Sequence, residues 1–201
     1  MTKTVSIESI TPEYISSRLT TYLNAHPAKD LKGEREAAVL VPLMLTPEGI
    51  KILYTRRSEK LKNHRGQVAF PGGGADPEDK DVAATALREA KEEIGLPSDA
   101  VDILGKMTTI TSTSRYNVTP IVGWINEPFE IIPNPSEVAR VFTVPLAWIA
   151  QRRNVDFRDL ETPWGRHHDV VFYQDYDGET IWGFTGHLTV QFLRILGLFQ
   201  D

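Results

Sequence analysis

Apolar positions along this chain fall into short continuous runs and helical stripes. In TPEYISSRLTTYLNAHP, Thr11 precedes Pro12 as a capping residue, and Ile15, Leu19, Tyr22 and Leu23 recur on one face, which predicts an amphipathic helix over about 11–26. EAAVLVPLML and IKILYTRR are apolar stretches separated by Pro47-Glu48-Gly49 and read as the two strands of a hairpin. A glycine-rich passage runs from Gly66 to Gly74. Next, DKDVAATALREAKEEIG places Val82, Ala83, Ala86, Leu87, Ala90 and Ile94 at helical spacing, with Gly95 and Pro97 as the stop. Beyond it, VDILGKMTTITS, NVTPIVGWI and ARVFTV read as strands, and PLAWIAQRR as a short helix opened by Pro145. HDVVFYQDYDGETIWGF reads as a second hairpin turning at Asp177-Gly178, and GHLTVQFLRILGLF as an apolar-faced helix. Strands interleaved irregularly with three or four helices predict the α/β class, a mixed sheet between helices, and disfavour an all-β barrel.

The length of 201 residues suits one domain over 1–201 with elaborated ends, and no internal repeat or linker interrupts it. Apolar residues at 41% and charged residues at 24% exclude a disordered or fibrous chain. A net charge of -5 offers no field for a nucleic-acid backbone, so no nucleic-acid partner is expected. A small anionic substrate stays open if a local basic patch and a cation offset the global sign. The absence of cysteine excludes disulfides and thiolate metal sites. MTKTVSIESITPEY lacks the apolar segment of a signal peptide, and the longest apolar run, Ala37 to Leu45, is too short to span a bilayer. These features predict a cytoplasmic protein without a membrane partner; a homodimer is compatible with the sequence and specified by nothing in it.

Candidate chemistry concentrates on the helix ending at Gly95. Glu89, Glu92 and Glu93 lie three and four residues apart along one edge, where like charges repel by a few tenths of a kcal/mol per pair, roughly, unless a cation sits among them. Mg²⁺ or Mn²⁺ suits such oxygen ligands. Arg88, four before Glu92, is placed to orient that carboxylate. A solvated helix face is the alternative, because ALREAKEE is also a generic helix-forming string. Gly72, Gly73 and Gly74 directly after Phe70-Pro71 permit close approach of backbone groups to an ion or phosphate, or form a plain turn.

The string from Gly73 to Leu96, GGADPEDKDVAATALREAKEEIGL, resembles the box of the Nudix hydrolase family, G-x5-E-x7-R-E-U-x-E-E-x-G-U with U a bulky apolar residue. Its second half matches at Arg88, Glu89, Glu92, Glu93, Ile94, Gly95 and Leu96, with Ala90 smaller than usual. Its first half departs from the pattern. Counting back from Arg88 puts Gly74 at the glycine and Lys80 where the early glutamate belongs; with Gly73 as the box glycine, one residue is inserted and Asp79 or Asp81 takes the acidic role. Upstream, LYTRRSEKLKNHRGQVAFPGG resembles a second signature, that of the coenzyme A pyrophosphatase branch. Thr55, Arg57, Ser58, Gly66, Phe70, Pro71, Gly72 and Gly73 fall on it, while Tyr54 replaces a leucine and Lys62 an arginine. Together the two patterns span about a quarter of the chain.

The resemblance implies a Nudix-type α/β/α sandwich and metal-dependent hydrolysis of a diphosphate bond in a small nucleotide derivative. Coenzyme A is first among the implied substrates, with ADP-ribose, dinucleotides or nucleoside triphosphates as others and a non-catalytic nucleotide-binding module as the rival favoured by Lys80. Glu89, Glu92 and Glu93 are the implied ligands of Mg²⁺ or Mn²⁺. The base is whichever of Glu92 and Glu93 is left free of metal, or Glu137 in the loop PNPSEVARV, which otherwise reads as a surface residue. Arg56, Arg57, Lys62, His64 and Arg65 form a basic stretch next to the box, suited with Gly72 and Gly73 to the substrate's phosphates. The alternative has Arg57 pairing with the acidic helix and the rest facing solvent. Adjacent residues in His167-His168-Asp169 point to opposite faces of a strand, so no dedicated metal site is expected there.

Overall fold

Helix ends in this protein are set by residues legible in the chain. In the computed structural model, which describes residues 5–26, 31–162 and 165–199, α1 (Pro12–Ala25) opens where the Thr11 hydroxyl accepts the Tyr14 amide at 3.2 Å. α2 (Val82–Ile94) opens where Asp81 accepts the Ala84 amide at 2.8 Å and closes at Gly95, whose φ of 74° is the left-handed C-cap geometry. The short α3 (Leu146–Ile149) starts after Pro145, and α4 (Gly183–Leu196) stops at Gly197. Among the described residues no helix is long and apolar enough to cross a membrane.

The strands are β1 (Arg35–Thr46), β2 (Gly49–Arg57), β3 (Val68–Ala69), β4 (Gly72–Gly74), β5 (Val101–Lys106), β6 (Ile110–Thr111), β7 (Tyr116–Ile125) and β8 (Val138–Pro145) in one mixed sheet, with β9 (Val155–Thr162) and β10 (Gly165–Tyr173) forming a separate antiparallel pair. β1 runs parallel to β7 over Arg35–Met44 and antiparallel to β2. The β1–β2 hairpin pairs only near its turn, Leu43–Thr46 against Gly49–Ile52, and then splays. The segment 68–74 closes the gap, β3 pairing with β2 and β4 with β1, while the Leu40 amide donates to the Pro71 carbonyl at 2.8 Å. Phe70, 4% exposed, pins this segment by stacking on buried Tyr54 with centroids 4.8 Å apart. The glycines of β4 are thereby fixed at the edge of β1.

Alternation along the strands divides the core between two faces. Ala38 and Leu40 of β1, Leu53 of β2, and Ile121 and Ile125 of β7 pack with Ala86, Ala90 and Ile94 of α2. Val41, Leu43, Ile52, Tyr54 and Val122 face the other way, onto Ile15 and Leu19 of α1 and Leu188, Phe192 and Leu193 of α4. A mixed sheet between α2 and the α1/α4 layer is the α/β sandwich expected.

Two expectations need correction, and one strand, β9, was not foreseen. The stretch VDILGKMTTITS is two strands, β5 and β6, each paired antiparallel with β7 and separated by residues 107–109, with a register shift between Ile103 and Gly105 inside β5. A long hairpin forms from β9 and β10, and the predicted turn at Asp177-Gly178 closes a shorter one, held by isolated bridges at Tyr176–Glu179 and Phe172–Trp182. β9 had no apolar alternation to announce it, since Asp156, Arg158, Asp159 and Glu161 occupy its exposed positions.

Two glycines separate backbone strain from crowding. Gly95 and Gly178 both sit at positive φ, 74° and 77°, but a Cβ at Gly95 lies 3.1 Å from Ile132 Cβ and one at Gly178 meets open space. Gly178→Ala should therefore cost about 1–2 kcal/mol in denaturant unfolding, and Gly95→Ala measurably more; equal losses would contradict the docking of residue 132 against this helix end.

Candidate active site

The topology gathers the candidate residues at one end of the sheet. β1 and β7 begin there, β2 ends there at Arg57, and β8 starts there just after Glu137. β4 lies between this rim and α2. A Cβ on Gly72 would stand 2.4 Å from the Ala38 carbonyl oxygen, and one on Gly73 would stand 2.5 Å from the Glu89 carboxyl carbon. Only glycine lets the β4 backbone reach the carboxylate of Glu89.

Arg88 is the hub of the helix edge. Its Nε and Nη2 donate to the two carboxylate oxygens of Asp79, each at 3.0 Å, Nη2 also donates to the Gly74 carbonyl at 2.9 Å, and Nη1 donates to Glu89 Oε1 at 2.9 Å. Glu92 Oε2 lies 3.5 Å from the same guanidinium. Asp79 also accepts from the Asp76 amide and the Thr85 hydroxyl, and its pKa is depressed, Arg88 being the main cause. Of the positions left open by the sequence, Asp79 meets Arg88, Asp81 caps α2 and Lys80 is exposed. Gly73, not Gly74, stands at the box spacing from that acid, and the extra residue lies between Asp79 and Arg88.

The three box glutamates have different surroundings. Glu93 is 3% exposed; its Oε1 lies 3.9 Å from Arg57 Nη1, and its Oε2 has no hydrogen-bond partner. Burial pushes its pKa up to about 8, the charges of Glu89 and Glu137 add to the rise, and Arg57 and the Gly72 amide oppose it. Glu89 is also raised, by burial first, against the pull of Arg88. Glu92 is exposed at the helix edge.

Glu137 belongs to the same group. Its charge acts on both Glu89 and Glu93, its carboxylate accepts from Asn134 Nδ2 at 3.2 Å, and its carbonyl accepts the Ser58 amide at 2.8 Å. The loop that carries it is docked on the end of α2, where the Ile132 and Asn134 amides donate to the Ile94 and Glu93 carbonyls at 3.0 and 2.9 Å.

Among the described residues no three His, Asp or Glu side chains are already gathered closely enough to hold an ion. Arg88 holds Glu89 and borders Glu92, while Glu93 turns toward Arg57. The donor set nevertheless fits a hard divalent cation. It is all oxygen, it clusters partly desolvated negative charge, and it includes the buried Glu93 oxygen that no protein donor satisfies.

The predicted basic stretch is divided. Arg57 faces Glu93, but Arg56, one residue earlier on a strand, points to the other face, where its Nε lies 3.7 Å from buried Glu179. Arg56 therefore does not join Arg57 in one patch. Lys62, His64 and Arg65 lie exposed on the loop between β2 and β3. His168 pairs with Asp159 at 3.1 Å. Sequence reasoning missed Asn117, which is buried and donates to Glu36 at 2.8 Å beside β4, and the loop 112–115, which touches His64. Neither carries a periodic or motif signal.

The NUDIX domain family model matches residues 34–165, well over half of the chain. The uncharacterized Nudix hydrolase NudL of Photorhabdus laumondii is 41% identical over 175 residues, covering 87% of this chain and 92% of that protein. The protein of the same name from Yersinia pestis is 37% identical over 187 residues, covering 89% and 92%. A crystal structure of a C. elegans Ap4A hydrolase binary complex overlaps with a TM-score of 0.48 at 23% identity, over 55% of this chain and 80% of that one. On the family match and the near full-length similarity to these relatives, the chain belongs to the Nudix family and is a hydrolase.

Proposed function

We propose that this hydrolase splits the diphosphate bond of a nucleotide derivative, with coenzyme A or its derivatives as substrate and adenosine 3',5'-bisphosphate and 4'-phosphopantetheine as products. The observation that carries the reaction class is the convergence of Glu89 and Glu93 on the glycine strand, with Glu137 near enough for its charge to act on both and one buried carboxylate oxygen lacking any protein donor. Support for the coenzyme A branch is narrower. Arg57, Gly72 and Gly73, three residues of the second signature, stand against Glu93 and Glu89.

Glu89, Glu92 and Glu93 would hold Mg²⁺ or Mn²⁺, which when bound supplies positive charge that offsets the phosphates and lowers the pKa of water, worth several kcal/mol by order of magnitude. Arg88 orients Glu89 and ties it to Gly74 and Asp79, so that the acidic edge is fixed before substrate arrives. Glu137 takes the base role. Water attacks one phosphorus of the bridge, its proton passes to the Glu137 carboxylate, and the bridging oxygen departs with the other phosphate. Arg57 faces the same carboxylates from β2 and offers a guanidinium to phosphate oxygens.

A panel of coenzyme A, ADP-ribose, a dinucleoside polyphosphate and a nucleoside triphosphate, assayed with Mg²⁺ and with Mn²⁺, tests the substrate. Coenzyme A should be cleaved best, and cleavage of ADP-ribose with coenzyme A untouched would refute the substrate assignment. On the best substrate, Glu137→Gln should lower kcat by about 10²–10⁴-fold, the range of a lost general base. An unchanged kcat would remove Glu137 from that role.

Glu93 also predicts how stability depends on pH. Its folded pKa of about 8 lies above the ordinary 4.5, so between those values the folded state holds more protons than the unfolded chain. Its contribution is full below the unfolded value and is lost as pH rises through the folded one. Melting of metal-free protein should therefore fall from about pH 5 to pH 8, and Glu93→Gln should flatten that fall while raising Tm at pH 8 and abolishing turnover. Asp79, shifted the opposite way, acts only on the acid side of this window. A wild-type Tm independent of pH here would show that Glu93 is not held protonated by burial.

A further inference from the structure

The rim that carries the glycines also carries an aromatic and cationic pair that the reaction does not use. Arg35 and Tyr116 are partners in the first rung of the parallel β1–β7 ladder. The Arg35 guanidinium carbon lies 5.9 Å from the Tyr116 ring centroid, and Nη1 donates to the phenol oxygen at 3.3 Å. Tyr116 is held in place by its own turn, the Ser112 hydroxyl accepting its amide at 3.2 Å and its carbonyl accepting the Ser112 amide at 2.8 Å. It also adjoins the box: a Cβ on Gly74 would sit 3.9 Å from Tyr116 Cε1, and the carbonyl of Gly74 accepts from Arg88.

Two loops frame this pair, and each holds a non-glycine residue in left-handed backbone, His64 at φ 55° and Arg115 at φ 63°. Such conformations persist where surrounding contacts enforce them. Here the loops are joined by a hydrogen bond of 3.0 Å between His64 Nε2 and Ser114 Oγ. Glu34, Arg35, Ser114, Arg115 and Tyr116 line a cleft of about 210 Å³. That is less than the roughly 300–1,000 Å³ of a site enclosing a whole drug-sized ligand, so it suits one ring or one phosphate of a longer molecule.

Charge decides between the two. Glu34 lines the cleft and already pairs with Arg115 at 2.5 Å, so a phosphate entering would meet a carboxylate and only one further guanidinium. A neutral aromatic ring is not repelled, and both a tyrosine ring and a guanidinium plane stack on nucleobases. We propose that the Tyr116–Arg35 pair, beside the loop that the His64–Ser114 bond ties down, receives the nucleobase of the substrate and so fixes which end of the diphosphate lies over the carboxylates. This inference rests on the nucleotide-derivative reading above.

The probes are AMP and inorganic diphosphate, titrated into metal-free full-length protein and followed by NMR or calorimetry. Tyr116→Ala should weaken AMP by about ten- to hundredfold, the usual loss when a stacking platform is truncated. Tyr116→Phe should stay near wild type, diphosphate binding should be unchanged in both, and a melt reports whether each variant is folded. On the cleaved substrate, Tyr116→Ala should raise KM more than it lowers kcat. Wild-type protein that does not bind AMP, AMP binding unaffected by Tyr116→Ala, or parallel loss of AMP and diphosphate overturns the site. If AMP binding behaves as expected but no nucleotide diphosphate is hydrolysed, the reaction assignment fails and the base site stands.

Discussion

Negative charge crowded onto one helix edge and partly withdrawn from water is the constraint that the rest of this structure serves. Glu89 and Glu93 both have raised pKa values because burial and neighbouring carboxylates disfavour their ionised forms. Left alone, such a cluster would titrate to neutrality or turn outward. Arg88 opposes this at Glu89 by donating at once to Asp79, Glu89 and the Gly74 carbonyl, whereas Arg57, approaching from β2, offsets the burial of Glu93 only in part. The compensation is partial, since one Glu93 oxygen remains without a donor. A site that is stable only in part until a cation arrives is the expected form of a metal-dependent hydrolase, where stability is sacrificed at the working residues.

Sheet topology makes that arrangement reachable. Because β1 and β2 splay beyond their hairpin, the segment 68–74 can enter between them, anchored by Phe70 in the core. Gly72 and Gly73 then lie so near the β1 backbone and Glu89 that any side chain would collide. The same parallel pairing of β1 and β7 brings Arg35 and Tyr116 to the rim, so they and the candidate carboxylates share one edge without sharing an element.

Much of this was legible where the signal is local. The spacing of Ala86, Ala90 and Ile94 with a stop at Gly95 defines α2, and the triple glycine after Phe70-Pro71 marks the close backbone approach beside it, though it reads as a turn and is strand β4. Longer-range features were not legible. Nothing periodic links Asp79 to Arg88 across the turn before α2, and Glu137 reaches the site only because its loop docks on the last carbonyls of that helix. β9 escaped because its exposed charged positions conceal the few inward residues, Val155 and Phe157. Arg56 and Arg57 were read as one patch by counting charge, although strand alternation already separates their faces.

The central claim is that Glu93, held protonated by burial, must ionise to take a divalent cation. Calorimetric titration of Mn²⁺ at pH 7 in two buffers of different ionisation enthalpy measures this directly. The account predicts tight binding with net proton release, and loss of both the release and most of the affinity in Glu93→Gln. Binding of equal strength in wild type and variant, with no proton released by either, would contradict it.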